Sequence, residues 1–290
     1  MARGIRTWDD YFIPGTSVLR NLPGVTDRGQ LQNYEEAQAL VRVAELYRDP
    51  VVGRFDYEHM KGIHRRIFQD VYSWAGQERM GPVGVMTKSG PDVVHFPPGD
   101  PAAPMVAYAY YPAGAIAEAA TTQYWLLAKE NHLTGLPQSE FVGRLAEHWG
   151  ELNTIHSFRE GNTRSQFVFF SQLSENAGYS LDTEAFKAGS PLREEFVAAR
   201  FYHQATTKTD RLASVLDKAI STPPPALQSA PAAEPTSALD QIRKAGRAAA
   251  DQTSAAQRKA GLNITARPAT RSNQSHRIED SRTRDDGRER

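Results

Sequence analysis

Aromatic residues occupy only part of this chain, and their distribution limits where a hydrophobic core can form. All 12 Phe, 11 Tyr and 4 Trp residues lie before residue 221, whereas residues 221–290 contain only six large aliphatic residues. A segment with so few apolar side chains cannot bury enough surface to offset the conformational entropy lost on folding. We therefore expect a folded domain over residues 1–220 and a disordered C-terminal tail.

The tail divides by composition into two segments. Residues 221–238 contain five Pro and five Ala, which predicts a semi-extended linker. Residues 239–290 mix Arg with Asp, Ser and Thr, and their first half is compatible with a short helix. The tail as a whole carries 12 basic and 8 acidic residues. It could serve as a partner-binding arm or a translocation signal, but without aromatic residues for base stacking we do not expect it to bind nucleic acid.

Several classes of protein are excluded or disfavoured by composition. The chain has no cysteine, which rules out disulfides, thiolate chemistry and zinc sites built on Cys spacing. It has no apolar run of about 18 residues and no apolar segment of signal-peptide type at its start. We expect a cytoplasmic protein without a membrane partner, and delivery into another cell remains open.

The spacing of apolar residues predicts a mainly α body. One predicted helix begins after Asp27 and runs to about Tyr47, and a second begins after Asp56 and runs to Gly76. Residues 113–130 and a segment that begins at Ser139 have the same helical character.

One stretch interrupts the helical pattern. Residues 82–96 contain short β-prone runs on either side of a turn-forming cluster at residues 88–91. We predict a small β-hairpin there, exposed as a flap on the helical body because two strands alone are marginally stable.

Residues 154–164, TIHSFREGNTR, form a polar loop between two predicted helices. The first N–H groups of the second helix have no partner within the helix, and with the helix dipole they favour an anion. Gly161 and Asn162 tolerate the left-handed backbone that aims such groups at a phosphate. Arg164 adds a fixed positive charge.

The same loop contains residues suited to proton transfer and to metal binding. Glu160 is an oxygen ligand of the kind Mg²⁺ uses beside substrate phosphates, and His156 can take a proton near neutral pH. This combination suits attack of a hydroxyl on a nucleotide phosphate. A polar loop between two helices is more commonly only a structural turn, and the residues alone leave both interpretations open. The other seven histidines lack metal-ligand spacing and are interpreted as surface or capping residues.

The loop resembles the signature of Fic domains, H-x-F-x-D/E-G-N-G-R-x-x-R. Six fixed positions match: His156, Phe158, Glu160, Gly161, Asn162 and Arg164. Thr163 replaces a glycine and Phe167 replaces the second arginine. Other segments are similar to Fic domains in the same order, at residues 11–21, 73–76 and 87–96, so the resemblance covers roughly residues 10–215.

The resemblance implies a function and a set of roles. Fic domains are helical proteins that mostly transfer AMP from ATP to a Ser, Thr or Tyr hydroxyl of a target protein, with Mg²⁺. By resemblance, His156 is the general base and Glu160 the Mg²⁺ ligand. By the same resemblance, Asn162 and the adjacent backbone amides of Gly161 and Thr163 hold the α-phosphate, and Arg164 contacts the outer phosphates. Thr87 and Lys88 of the flap dock the target by strand addition. A toxin-like enzyme of this kind would be restrained by a separate antitoxin-like chain.

The two departures from the signature, Thr163 and Phe167, leave alternative functions open. In the family the second arginine holds the γ-phosphate, and losing such a contact costs about 1.5–3 kcal/mol. Phe167 falls on the apolar stripe of its helix, so we interpret it as a core residue. The alternatives are transfer of another nucleotidyl or phosphoryl group through the same loop, or a non-enzymatic Fic-fold interaction protein.

Overall fold

The computed structural model describes residues 4–222. The predictions for the remainder of the linker after Thr222 and for residues 239–290 lie outside the described residues. Within residues 4–222, no helix is both long enough and apolar enough to cross a bilayer.

The predicted mainly α fold is confirmed. The described residues contain seven α-helices and two small two-stranded antiparallel sheets. The helices are α1 Arg28–Leu46, α2 Tyr57–Phe68, α3 Ile116–Lys129, α4 Gln138–Ile155, α5 Asn162–Asn176, α6 Pro191–Thr206 and α7 Asp210–Asp217. The strands are β1 Thr87–Pro91, β2 Met105–Ala109, β3 Ser180–Leu181 and β4 Ile220–Ser221. Short 3₁₀ turns lie at Asp9–Tyr11, Ala113–Ala115, Asn131–Leu133 and Glu184–Phe186.

Two of the predicted helix starts are confirmed by their caps. The carboxylate of Asp27 accepts from the N–H of Gln30 at 2.8 Å, and that of Asp56 accepts from the N–H of His59 at 2.9 Å. Each satisfies a donor that the first turn leaves unpaired. The start predicted at Ser139 is wrong, because α4 begins one residue earlier and has no side-chain cap.

Helix α2 ends earlier than its apolar spacing predicts. It stops at Phe68, and the N–H groups of Val71 and Tyr72 both bond to the carbonyl of Phe68. Val71 and Trp74 are nevertheless buried. The apolar pattern continued past the helix because the following turn buries its side chains in the same core.

The core is centred on α4 and α5, the two helices that flank the polar loop. Trp149 of α4 stacks on Phe170 of α5 with ring centroids 4.4 Å apart, and both side chains are fully buried. Helix α2 packs against α5 and helices α6 and α7 pack against α4. The loop is therefore anchored at both ends by helices of the core.

A flap hairpin is present, but the strands and the turn predicted within residues 82–96 are wrong, because neither β-prone run forms a strand and the second strand is Met105–Ala109. The cluster at residues 88–91 is part of strand β1, which pairs with β2 through Lys88 opposite Tyr108. The connection is the long segment 92–104. A Cβ atom on Gly90 would lie 2.8 Å from the ring of Phe201, so the glycine allows the strand to approach α6 closely and does not mark a turn.

Candidate functional site

The loop between α4 and α5, residues 156–161, is bounded by two left-handed residues. His156 ends α4 with φ 51° and ψ 62°, and Gly161 begins α5 with φ 77° and ψ 10°. A Cβ atom on Gly161 would lie 2.2 Å from ring carbons of Phe68, so both conformation and space require glycine there. The first helical bond of α5 runs from the N–H of Ser165 to the carbonyl of Gly161, and no side chain caps the helix.

Asn162 closes the loop with its side chain. Its Oδ1 accepts from the N–H of Phe158 at 2.9 Å, and its Nδ2 donates to the carbonyl of Phe158 at 2.8 Å. The resemblance led us to expect this amide on the α-phosphate. In the structure both polar atoms of this buried side chain form hydrogen bonds within the loop, and the contact with the α-phosphate stays a prediction.

Arg79 holds the loop in place through hydrogen bonds to carbonyl groups. Its backbone N–H donates to the carbonyl of Ser157 at 2.9 Å, and its guanidinium donates to the carbonyls of His156 and Gly81 at 2.8 Å and to that of Tyr111. The side chain is buried, and burial lowers its pKa to about 10. Sequence reasoning missed this residue because no local pattern marks a carbonyl-binding arginine.

His64 ties the loop to the turn after α2. Its Nε2 lies 2.9 Å from the carbonyl of Glu160, and its Nδ1 accepts from the N–H of Gly76 at 2.8 Å. The imidazole stacks on Phe158 with centroids 3.9 Å apart and is fully buried. These partners require a neutral ring that donates through Nε2. The interpretation of His64 as a surface or capping residue is wrong.

The neutral state of His64 predicts sensitivity to acid. Burial lowers its pKa to about 3, well below the value in the unfolded chain, so below pH 6.5 the unfolded state binds more protons. The free energy of unfolding should therefore fall as the pH falls through this window. Relative to His64→Gln, the wild type should lose up to about 1.4 kcal/mol per pH unit between pH 6 and pH 4. Urea unfolding of both proteins measures this, and parallel curves would contradict it.

The imidazole of His156 is buried against an aromatic ring. Its side chain is 6% exposed, and its ring centroid is 4.1 Å from that of Tyr110, the residue after β2. The N–H of Tyr110 bonds to the carbonyl of Met86, just before β1. The hairpin therefore places this tyrosine against the imidazole.

Glu160 and Arg164 face the same side of the loop. The side chain of Glu160 is 34% exposed, and its Oε1 accepts from the N–H of Gly161 at 3.2 Å and lies 3.9 Å from Arg164. Arg164 also forms an ion pair with Glu35 of α1 and lies 4.7 Å from the ring centroid of Phe68. The expectation from the resemblance that Arg164 contacts the outer phosphates stays a prediction. Within residues 4–222, no three acidic or histidine side chains group as a metal site.

The two departures from the signature lie on one face of α5. The interpretation of Phe167 as core is confirmed: its ring packs 5.1 Å from those of Trp149 and Phe186 and 5.2 Å from that of Phe196. One turn nearer the loop, the hydroxyl of Thr163 accepts from the guanidinium of Arg200 at 2.9 Å. Arg200 belongs to α6, and sequence reasoning did not identify it.

Thr87 and Lys88 lie in strand β1, so the structure places them on the flap as expected. The flap packs on α6, where Tyr108 stacks on Phe201 with centroids 4.4 Å apart. A cavity of about 350 Å³ lies between β2 and α6, lined by Asp92, Val94, His95, residues 106–109, Gln204 and Ala205. The flap therefore has a groove beside its strands.

The loop and its surroundings are similar in sequence to proteins of a known family. The model of the Fic/DOC family matches residues 54–174. Protein adenylyltransferase VbhT of Bartonella schoenbuchensis is 38% identical over 174 residues, which are 60% of this chain and 32% of that protein. The chain thus spans about a third of the length of VbhT. The probable protein adenylyltransferase y4lH of Sinorhizobium fredii is 34% identical over 60% of this chain and 79% of its own length.

Solved structures share the fold. BepC of Bartonella tribocorum, with bound AMPPNP, superposes with a TM-score of 0.61 at 20% identity, over 74% of this chain and 98% of that one. The N-terminal Fic domain of a putative cell filamentation protein from Bartonella quintana, with bound ADP, gives a TM-score of 0.62 at 20% identity, over 76% and 98%. At these identities the likeness shows a shared architecture.

Proposed function

Since this chain belongs to the Fic/DOC family, we propose that it is a protein adenylyltransferase that transfers AMP from ATP to a Ser, Thr or Tyr hydroxyl of a target protein. One observation carries the proposal: residues 156–161 bring an imidazole, a carboxylate and a helix N-terminus together in a single loop that the core holds at both ends. The names of the relatives support AMP as the group transferred.

The reaction needs one bond made and one broken. The target hydroxyl oxygen attacks the α-phosphorus of ATP, the bond from that phosphorus to the bridging oxygen breaks, and pyrophosphate leaves. The hydroxyl proton passes to the imidazole of His156, the one histidine of the loop. Arg79 fixes the backbone of His156 by donating to its carbonyl at 2.8 Å.

The phosphates lie against the first turn of α5 in this proposal. The backbone N–H groups of residues 162–164 precede the first helical hydrogen bond and point into the loop. Glu160 fits as the one carboxylate ligand of Mg²⁺, because its side chain is partly exposed and lies beside the start of α5. Bound there, Mg²⁺ would neutralise charge on the phosphates.

The flap orients the target. Thr87 and Lys88 lie on β1, and the groove beside β2 gives an extended segment room to lie along the hairpin. A toxin- or effector-like role in a cytoplasm, restrained by a separate antitoxin-like chain, completes the proposal. Growth arrest on expression of the active chain, absent with an inactive variant, tests that role.

Labelled ATP tests the reaction. The chain is incubated with cell extract, Mg²⁺ and ATP labelled at either the α- or the γ-phosphate. We expect protein-bound label from the α position only. Label from the γ position only would instead show phosphate transfer, the second candidate, which the altered positions Thr163 and Phe167 favour. Absence of label from any nucleoside triphosphate would support a non-enzymatic interaction protein.

A further inference from the structure

We propose that the groove between β2 and α6 binds an extended segment of the target protein, which pairs with the outer edge of β2 and places a basic side chain beside Asp92. The inference rests on the proposed function, because it states which part of a target the flap recognises. The resemblance to Fic domains implies docking at Thr87 and Lys88 of β1. The hydrogen bonds and the composition of the hairpin favour its opposite edge.

The pairing of the two strands shows which backbone groups of β2 face the groove. Antiparallel strands exchange hydrogen bonds at every second residue. The N–H of Tyr110, directly after β2, bonds across the hairpin to the carbonyl of Met86. Ala109 and Ala107 therefore lie at the positions between the ladder bonds, and their N–H and carbonyl groups point away from β1. These groups form the outer edge of β2.

The groove gives this edge room for another strand. The cavity of about 350 Å³ is lined by residues 106–109 on one side and by Gln204 and Ala205 of α6 on the other. The side chain of Gln204 donates to the carbonyl of Ala109 at 2.6 Å, which closes the groove at that end. The N–H and carbonyl of Ala107 lie in the middle of the edge, where an extended backbone can pair with them.

The two edges of the hairpin differ in their protection against strand addition. The outer edge of β1 carries Pro91, which has no N–H, and proline on an edge hinders pairing with another chain. Strand β2, with the sequence MVAYA, contains neither a proline nor a charged residue. The unprotected edge is therefore the one that faces the groove.

The groove leads towards the proposed base. Tyr110 directly follows Ala109, and its ring centroid lies 4.1 Å from that of His156. Antiparallel pairing is the more stable arrangement per residue, and a segment paired in this way with β2 runs from the His156 end towards Met105. The hydroxyl that reacts would then lie before the paired residues in the sequence of the target.

Asp92 lies at the other end of the groove. Its N–H bonds to the carbonyl of Pro104, the residue before β2, and its side chain lines the cavity. Its carboxylate accepts from the N–H groups of Val94 and His95 at 3.0 and 3.1 Å, and lies 2.8 Å from Nδ1 of His95. These bonds hold the carboxylate in one position beside the edge of β2.

The charge of Asp92 favours a basic side chain in the target. Hydrogen bonds with the ring and the backbone of His95 hold the pKa of Asp92 below its ordinary value, so the carboxylate is ionised at neutral pH. Among the described residues that line the cavity there is no lysine or arginine. Arg211 lies outside the lining and donates to the carbonyl of Val93. The groove is therefore complementary to a cation at this end.

The length of β2 sets the spacing of the recognised residues. Strand residues advance by about 3.4 Å, so the Met105 end of β2 lies about four residues from its Ala109 end. A segment paired antiparallel with β2 should therefore carry Lys or Arg about four to six residues after the modified hydroxyl.

Variants at two residues that face each other test which edge is used. Ser89 and Ala107 are opposite each other in the hairpin, and the N–H of each points outwards. Ala107→Pro and Ser89→Pro each remove one outward N–H and no ladder bond. With cell extract, Mg²⁺ and α-labelled ATP, protein labelling should fall about 3- to 10-fold in Ala107→Pro and stay within about twofold in Ser89→Pro. Calorimetric titration without extract should give both variants the affinity of the parent protein for ATP.

The modified sites test selection by Asp92. Mass spectrometry of the labelled proteins should find Lys or Arg enriched about four to six residues after the modified hydroxyl. Asp92→Asn should remove this enrichment. Asparagine keeps an oxygen that accepts from the N–H groups of Val94 and His95, so the turn is retained.

Three results would overturn the assignment while leaving the proposed function intact. A loss of labelling in Ser89→Pro alone would place the target on β1, and equal labelling in both variants would mean that the edge of β2 is not used. Modified sites without the basic residue would contradict selection by Asp92. If the parent protein labels no protein at all, the proposed function is wrong, and this assignment is wrong with it.

Discussion

Replacing His156 with alanine should abolish AMP transfer while nucleotide binding persists. Transfer of label from α-labelled ATP should fall at least about a hundredfold, the usual range for loss of a general base. The affinity for ATP should stay within a few-fold, because in the proposed site the phosphates contact the first turn of α5 and not the imidazole. Labelling rates and calorimetric titration of the same preparation measure the two quantities.

His148→Ala is the matched control for this experiment. His148 lies on the same helix, two turns before His156, and is similarly buried, but its ring contacts Glu130 and Gln123. We expect it to retain most of the transfer activity. Full activity in His156→Ala would contradict the assignment of the base, and equal loss in both variants would point to damage to α4.

The second large effect is on folding, at Gly161. Alanine there would have to adopt φ 77° and would place its Cβ atom 2.2 Å from the ring of Phe68, a fully buried side chain. Left-handed strain and overpacking together should lower the free energy of unfolding by about 3 kcal/mol or more. Transfer activity should fall as well, because relief of the clash must move either the loop or α2.

A variant at Gly178 separates the effect of backbone strain from the effect of the contact with Phe68. Gly178 follows the other end of α5 with φ 88°, and a Cβ atom there would meet nothing within 4 Å. Gly178→Ala should therefore show the conformational strain alone, about 1 kcal/mol. Urea unfolding of both variants measures the difference, and equal losses would mean that the contact with Phe68 relaxes without cost.

The sequence was most informative where structure depends on near neighbours. Asp27 and Asp56 cap helices as predicted, since a cap acts within three residues. The left-handed backbone predicted at Gly161 is also present, because the chain must turn sharply between two packed helices. Phe167 was recognisable as core from its place on the apolar stripe of α5.

Contacts between distant residues could not be predicted in the same way. His64 bonds to a carbonyl 96 residues away, and Arg79 bonds to one 77 residues away. Arg200 reaches Thr163 from another helix. Nothing in the local sequence specifies such pairings, because they depend on how the helices pack. The turn predicted at residues 88–91 was wrong for the same reason: Gly90 serves a contact with Phe201 that local composition does not reveal.

Helix α6 connects the two halves of the proposed reaction. Arg200 touches the loop, and the next residue, Phe201, stacks on Tyr108 of the flap. A peptide that displaces the hairpin would therefore disturb the helical turn that carries Arg200. Binding free energies are coupled reciprocally. If a bound peptide changes the affinity for ATP by some factor, ATP changes the affinity for the peptide by the same factor. The affinities for the two substrates would then be coupled through a single turn of helix.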